Sequence, residues 1–306
     1  MEILRLLEGI RTPFLDSFFS VVTHLGEETF FIVLGIIFFW CIDKKEGYYI
    51  LSVGFIGTII NQFLKLLFRI PRPWVRDKNF TIVESARSEA TGYSFPSGHT
   101  QSSVGVFGSI ARYEKAKWLR AVCIAICILV PLSRLYLGVH TPLDVGVSLG
   151  ISLVLIFGLF PFIQNCFEDT NKMRILFMGM IILSVLYCTF VNFYNFPKDT
   201  DAENLSHGVA NAFKLLGCTL GVWIGFEVDR KYINFETKGN FLCQVLKFVV
   251  GLVPLLAIKE GLKYPFNLLF GISYIADGVR YLILVVFAVC VWPLTFNWFR
   301  KITKSN

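Results

Sequence analysis

The run GYYILSVGFIGTIINQFLKLLFRIPRP, Gly47 to Pro73, carries no charge before Lys65 and then gathers Lys65, Arg69 and Arg72 ahead of its last proline. An apolar stretch of roughly 20 residues is long enough to cross the hydrocarbon core of a bilayer as a helix. Pro71 and Pro73 cannot continue such a helix, so the span closes near Ile70. Steps of three, four and seven residues return to one helix face, so a helix reaching Ile70 would align Lys65, Arg69 and Arg72.

Comparable apolar runs recur along the chain, at about 29–42, 96–113, 121–137, 141–166, 173–193, 207–226, 241–258 and 274–299. With 55% hydrophobic and 17% charged residues, the 306-residue chain departs from soluble domains, which average roughly 45–50% apolar and about 25% charged. In lipid every backbone polar group must be satisfied internally, which leaves helices or closed barrels. A barrel would show alternating segments of about ten residues, and none is present. The expected fold is therefore all-α: a polytopic transmembrane helical bundle of about nine spans. Residues 3–19 carry a helical apolar stripe interrupted by Arg5, Glu8, Arg11 and Asp16, which suits a helix lying in the membrane interface and bent at Pro13. The expected organisation is an interfacial segment 1–26, a core 27–166 carrying three motifs, and a four-helix membrane extension 167–306.

The net charge of +7 does not argue for a nucleic-acid partner, because the basic residues lie in short turns between apolar runs. Lys44/Lys45, Lys115/Lys117/Arg120, Lys172/Arg174, Arg230/Lys231 and Arg300/Lys301/Lys304 all fall on one side under this span order. The positive-inside rule makes that side cytoplasmic. The three motifs then face the extracytoplasmic side of a cell membrane, with the C-terminus inside. The eight cysteines form no Cys-x-x-Cys pair, so neither a zinc site nor a disulfide framework is expected. The N-terminus has charges where the apolar core of a signal peptide would lie, so none is expected there.

Three clusters carry chemistry: Lys65-x6-Arg72-Pro73, Pro96-Ser97-Gly98-His99, and Ser133-Arg134-x5-His140-x3-Asp144. Ionisable residues beside apolar spans usually mark function. Converging cations suit a phosphoryl group, although Lys65 and Arg72 would also sit there if they only snorkelled to headgroups. Ser97 reads as an N-cap, so the first N–H groups of the next helix, at Gly98 and His99, would face an anion. His140 and Asp144 are four apart at a helix start. The carboxylate can hold the ring tautomer and leave the other nitrogen free to attack. Thr141-Pro142-Leu143-Asp144 also reads as a plain helix start, in which Asp144 would merely cap.

Together the clusters closely resemble the three-part signature of the type 2 phosphatidic acid phosphatase superfamily, with every signature position matched. The resemblance covers the second to fifth spans; its nine-span plan is similar to the glucose-6-phosphatase and sphingosine-phosphate phosphatase branches. It implies that His140 attacks phosphorus and forms a phosphohistidine. It implies too that His99 serves as acid and then base, that Asp144 orients His140, and that Lys65, Arg72, Ser97, Gly98 and Arg134 hold the phosphoryl oxygens. No metal or other cofactor is expected. The expected partners are membrane lipids and a lipid-phosphate substrate: a polyprenyl diphosphate, a phosphatidate-type lipid or a sphingoid phosphate. A soluble sugar phosphate, or a lipid transporter or scramblase built on the same fold, are the alternatives. Outside the clusters, Gly217-x3-Gly221-x3-Gly225 and Gly146-x3-Gly150 suggest close helix packing. Lys214 and Lys247 lie within apolar spans, where they would snorkel or pair; a substrate-headgroup or gating role is the alternative.

Overall fold

The structure, a computed structural model, describes residues 1–270 and 274–304. All regular elements among them are helical: α1 (Glu2–Gly9), α2 (Pro13–Thr23), α3 (Glu28–Ile37), α4 (Lys44–Phe68), the short α5 (Pro73–Arg76), α6 (Gly98–Tyr113), α7 (Lys117–Tyr136), α8 (Pro142–Cys166), α9 (Thr170–Phe193), α10 (Ala202–Val228), α11 (Phe241–Gly261), α12 (Lys263–Phe270), α13 (Tyr274–Val286) and α14 (Phe296–Lys304). By length and composition seven helices can cross a membrane, or eight if the pair Pro13–Gly26 and Glu28–Ile42, bent by 53°, is one span. This is fewer than the nine expected. Two expected spans account for the difference: 29–42, which counts only as part of that bent pair, and α6, whose 16 residues include His99, Thr100, Gln101 and several serines, and whose polar groups turn inward.

The chain forms two compact units. One comprises residues 1–34, 49–164 and 196–208, the other residues 35–48, 165–195 and 209–306. The first unit contains all three clusters. Its N-terminal segment is not one bent helix. Thr12 caps α2, accepting from the Leu15 N–H at 3.3 Å, and Pro13 opens that helix rather than kinking a longer one. The charges that interrupt the apolar stripe bind the loop between α5 and α6. Arg5 donates to Asp77 at 2.6 Å and to the Asn79 carbonyl at 3.0 Å, Glu8 accepts from the Thr81 N–H at 2.9 Å, and Arg11 donates to the Thr81 carbonyl at 2.9 Å. Leu4 packs with Phe80 and Ile82, while Phe19 packs with Ala86, Ala90 and Tyr136. These contacts fix the loop whose far end, Thr91 to Tyr93, reaches the site.

In the second unit the glycines of α10 permit close approach. A Cβ on Gly217 would lie 2.1 Å from the Gly278 carbonyl oxygen, and one on Gly221 would lie 2.8 Å from Val285. Lys247 is fully buried and donates to the carbonyls of Thr237 at 2.9 Å and Lys238 at 3.2 Å. It ties down a loop. In the first unit, Gly146 and Gly150 differ from expectation: they are exposed on α8, and a Cβ on either would meet no described residue within 4 Å.

Candidate active site

Three helix ends build the site, and each ends for a local reason. α4 stops at Phe68 because Arg69 adopts φ 49°, a left-handed conformation that costs a non-glycine residue about 1–2 kcal/mol. Arg69 therefore leaves the expected shared face, and its guanidinium turns back to the Leu66 carbonyl at 2.8 Å. The chain then runs to Arg72, which is buried. At the other end of the loop, Gly92 takes φ 70°, and this turn aims carbonyls at the cations. Arg72 donates to the carbonyls of Thr91 (2.5 Å), Gly92 (3.0 Å) and Val139 (3.0 Å), and Lys65 donates to that of Tyr93 (2.6 Å).

α7 closes in a Schellman motif. Gly138 has φ 80°, its N–H donates to the Leu135 carbonyl at 3.1 Å, and the Val139 N–H donates to the Arg134 carbonyl at 3.2 Å. The His140 N–H reaches the same Arg134 carbonyl at 3.3 Å, so the turn delivers His140 directly to the cavity. α8 then opens with a reciprocal capping box. The Asp144 N–H donates to Thr141 Oγ1 at 3.3 Å, and the Thr141 N–H donates to Asp144 Oδ2 at 2.7 Å. Ser97 caps α6, accepting from the Thr100 N–H at 3.4 Å. Its own N–H donates to the Asp144 carbonyl at 3.1 Å, which ties the second cluster to the third.

A cavity of about 300 Å³ lies among these ends, and Lys65, Arg72, Gly98, His99 and His140 all line it. Ser97, Arg134 and Asp144 are fully buried beside it and are not among its lining residues. His140 Nε2 lies 2.8 Å from Arg72 Nη1, and His140 Nδ1 lies 3.5 Å from Asp144 Oδ2. A guanidinium only donates. Nε2 is therefore the acceptor nitrogen and the ring proton sits on Nδ1, facing the carboxylate. Burial first, and then the nearby charges of Arg72 and Arg134, hold the His140 imidazolium well below the ordinary histidine range. The ring stays neutral and keeps its Nε2 lone pair. Asp144 thus forms the cap and also faces His140; the two readings left open by the sequence coexist in one side chain.

The cations are the unusual feature. Among the described residues, Lys65, Arg72 and Arg134 have hydrogen bonds to main-chain carbonyls, to His140 and to the Thr23 hydroxyl, but none to a carboxylate. Arg134 is completely buried, and its Nε and Nη2 have no partner among the described residues. Glu27, Glu28 and Glu89 also line the cavity. Buried cations without a hydrogen-bonded carboxylate are costly, and an anion bearing several oxygens relieves that cost.

Two contacts escaped sequence reasoning. Ser94 donates to Asp144 Oδ2 at 2.5 Å, and Thr23 accepts from Arg134 at 2.6 Å. Ser94 had a signal: it is the polar residue in the aromatic approach Tyr93-Ser94-Phe95 to Pro96. Thr23 had none, being 111 residues from its partner.

Residues 46–168 match the PAP2 superfamily, and residues 213–304 match the PAP2 superfamily phosphatase transmembrane extension. The chain is 31% identical to phosphatidylglycerophosphatase B of Bacillus subtilis over 47% of its own length and 74% of that protein's. It is 24% identical to human sphingosine-1-phosphate phosphatase 2, over 97% of this chain and 70% of the relative. It is 27% identical to undecaprenyl-diphosphatase BcrC of B. subtilis, over 53% and 82%. No solved structure matches the chain. The chain belongs to the PAP2 superfamily. It is a multi-pass membrane phosphatase, a phosphoric ester hydrolase.

Proposed function

We propose that this phosphatase hydrolyses the phosphate ester of a membrane lipid, a phosphomonoester or diphosphate, through a phosphohistidine at His140. The observation that carries the proposal is the 2.8 Å contact between Arg72 and His140 Nε2. It sets a neutral nucleophile's lone pair against the cation that would hold the phosphoryl oxygens. On binding, Arg72 shifts from Nε2 to those oxygens, with Lys65 and the first N–H groups of α6 at Gly98 and His99. Nε2 then attacks phosphorus in line, the bond to the leaving oxygen breaks, and His99 protonates that oxygen. A water deprotonated by His99 attacks next, releasing phosphate and restoring Nε2. Asp144 holds the Nδ1 proton throughout. Its 3.5 Å separation is longer than a hydrogen bond, and such contacts tighten in loaded complexes. Arg134 adds charge from behind the ring.

Lipid is the favoured substrate for two reasons. The site stands at the ends of apolar helices, and the relatives' names are those of lipid phosphatases. The basic turns support an extracytoplasmic site with a cytoplasmic C-terminus. The test is phosphate release by the purified protein from a sphingoid phosphate, a phosphatidate, a polyprenyl diphosphate and glucose 6-phosphate. Turnover of lipids over the sugar phosphate is expected. Turnover of the sugar phosphate alone would overturn the lipid assignment. Movement of labelled lipid across a bilayer without phosphate release would point to transport instead.

A further inference from the structure

The cavity extends beyond the groups that hold phosphate. Besides the residues that hold phosphate, the middle turns of α4 and the first turns of α6 line it, together with Glu27, Glu28 and Glu89. Of the three amides in the lining, Asn61, Gln62 and Gln101, the first and last are buried.

Asn61 lies one turn before Lys65 on the same face of α4, about 6 Å along the helix axis. Gln101 lies one turn after Ser97 on α6. Both are buried, with 2% and 4% exposure, and both line the cavity. The side-chain nitrogen and oxygen of each have no hydrogen-bond partner among the described residues. The helices approach closely here: a Cβ on Gly57 would lie 2.6 Å from Gln101 Nε2, and one on Gly98 would lie 3.9 Å from Asn61 Oδ1. Most buried polar atoms in folded proteins are paired, and an unpaired one costs about 1–3 kcal/mol. Four such atoms at one wall of a cavity mark a place where a ligand supplies the partners.

The chemistry of that ligand follows from the amides. Their amide oxygens only accept, so they cannot pair with the oxygens of a phosphate, and a phosphoryl group alone would leave them unmatched. Each amide offers a donor and an acceptor, the complement of a hydroxyl or an amine. His99, the proposed leaving-group acid, lines the same cavity as Asn61 and Gln101, so this wall adjoins the alcohol side of the substrate. We infer that Asn61 and Gln101 form a hydrogen-bonding subsite for a hydroxyl or amine close to the ester carbon. This subsite selects sphingoid or lysoglycerol phosphates over polyprenyl ones. The inference rests on the phosphatase reading above. A site built to hydrogen-bond a substrate group discriminates strongly against an analogue lacking it, because its own buried groups are then left unpaired.

The test compares kcat/KM of the purified protein on four substrates: a 2-amino-3-hydroxyalkyl phosphate, a 1-acylglycerol 3-phosphate, hexadecyl phosphate and farnesyl phosphate. The first two should exceed the last two by about tenfold or more. Their relative rates tell amine from hydroxyl. Asn61→Leu and Gln101→Met should each bring the ratio of polar to apolar substrates toward one. Equal rates on all four substrates in the unaltered protein, or an unchanged ratio in the variants, overturns the subsite and leaves the phosphatase reading standing. Release of phosphate from none of them defeats the underlying reading instead. If the apolar variants do not accumulate as folded protein, Asn61→Ala and Gln101→Ala carry the same requirement on the ratio.

Discussion

Replacing Asp144 by Asn removes a charge while keeping the shape of the side chain, and so separates its two roles. The amide oxygen of Asn can still accept from the Thr141 N–H, now 2.7 Å from Oδ2, and from Ser94, now 2.5 Å from it. Asn also serves well at helix starts, so the structural loss should not exceed the roughly 0.5–2 kcal/mol of a deleted cap. What disappears is the negative charge facing His140 Nδ1, which must stabilise the positive ring as Nε2 bonds phosphorus. In the serine-protease template the equivalent change costs about 10⁴ in rate with geometry intact. We expect at least about a hundredfold loss of kcat, equivalent to about 2.7 kcal/mol at 1.36 kcal/mol per decade. Thr141→Ala is the control. It removes only the capping hydroxyl 3.3 Å from the Asp144 N–H, and should lower thermal stability with kcat within a few fold of the parent. The assay pairs phosphate release with a melting curve for each variant. If Asp144→Asn turns over near normally while its melting point falls with that of Thr141→Ala, Asp144 is a cap and the orienting role is wrong.

Other predictions concern side, metal and proton. Asn79 is exposed on the loop before α6, so a cysteine placed there, once native cysteines are removed, should react with an impermeant thiol reagent in intact cells; labelling only after lysis would reverse the orientation. Excess chelator should leave activity intact and orthovanadate should inhibit it, because the proposed nucleophile and charge stabilisers are side chains; loss in chelator with rescue by magnesium would overturn the mechanism. His140 is depressed by burial and by Arg72, so the folded state resists its protonation. Its stabilising contribution is present above the unfolded histidine value of about 6.5 and is lost as pH falls through the lower folded value. Nitrogen NMR of labelled histidine should find His140 neutral at about pH 6, whereas a charged ring there would contradict the geometry.

The clusters were legible in the sequence because Lys, Arg, His and Asp are expensive beside apolar spans, so their presence at span ends already carries meaning. The helical class followed from the same apolar runs. What escaped was set by contacts far apart in the chain. Arg69 left its expected face because the loop returns through Ser94, whose N–H reaches the Ile70 carbonyl at 2.8 Å. The charges of the N-terminal stripe read as an interfacial pattern, and nothing in that pattern foretold that Arg5 and Arg11 bind a loop some seventy residues away. The carbonyls of Thr91 and Gly92 that hold Arg72 have no side-chain signature. The polar α6 looked like a ninth span because its neighbours are apolar, whereas its hydroxyls and Gln101 turn inward.

The central claim is that phosphate passes through His140. Rapid acid-free quenching of the purified protein with a ³²P-labelled lipid phosphate, followed by peptide mapping, tests it directly. Acid-labile, alkali-stable label is expected on the peptide containing His140, and none in His140→Ala. The label should persist in His99→Ala when the substrate has a good leaving group, because the water then lacks its base. Label on His99, or a phosphoenzyme that survives in His140→Ala, would contradict it.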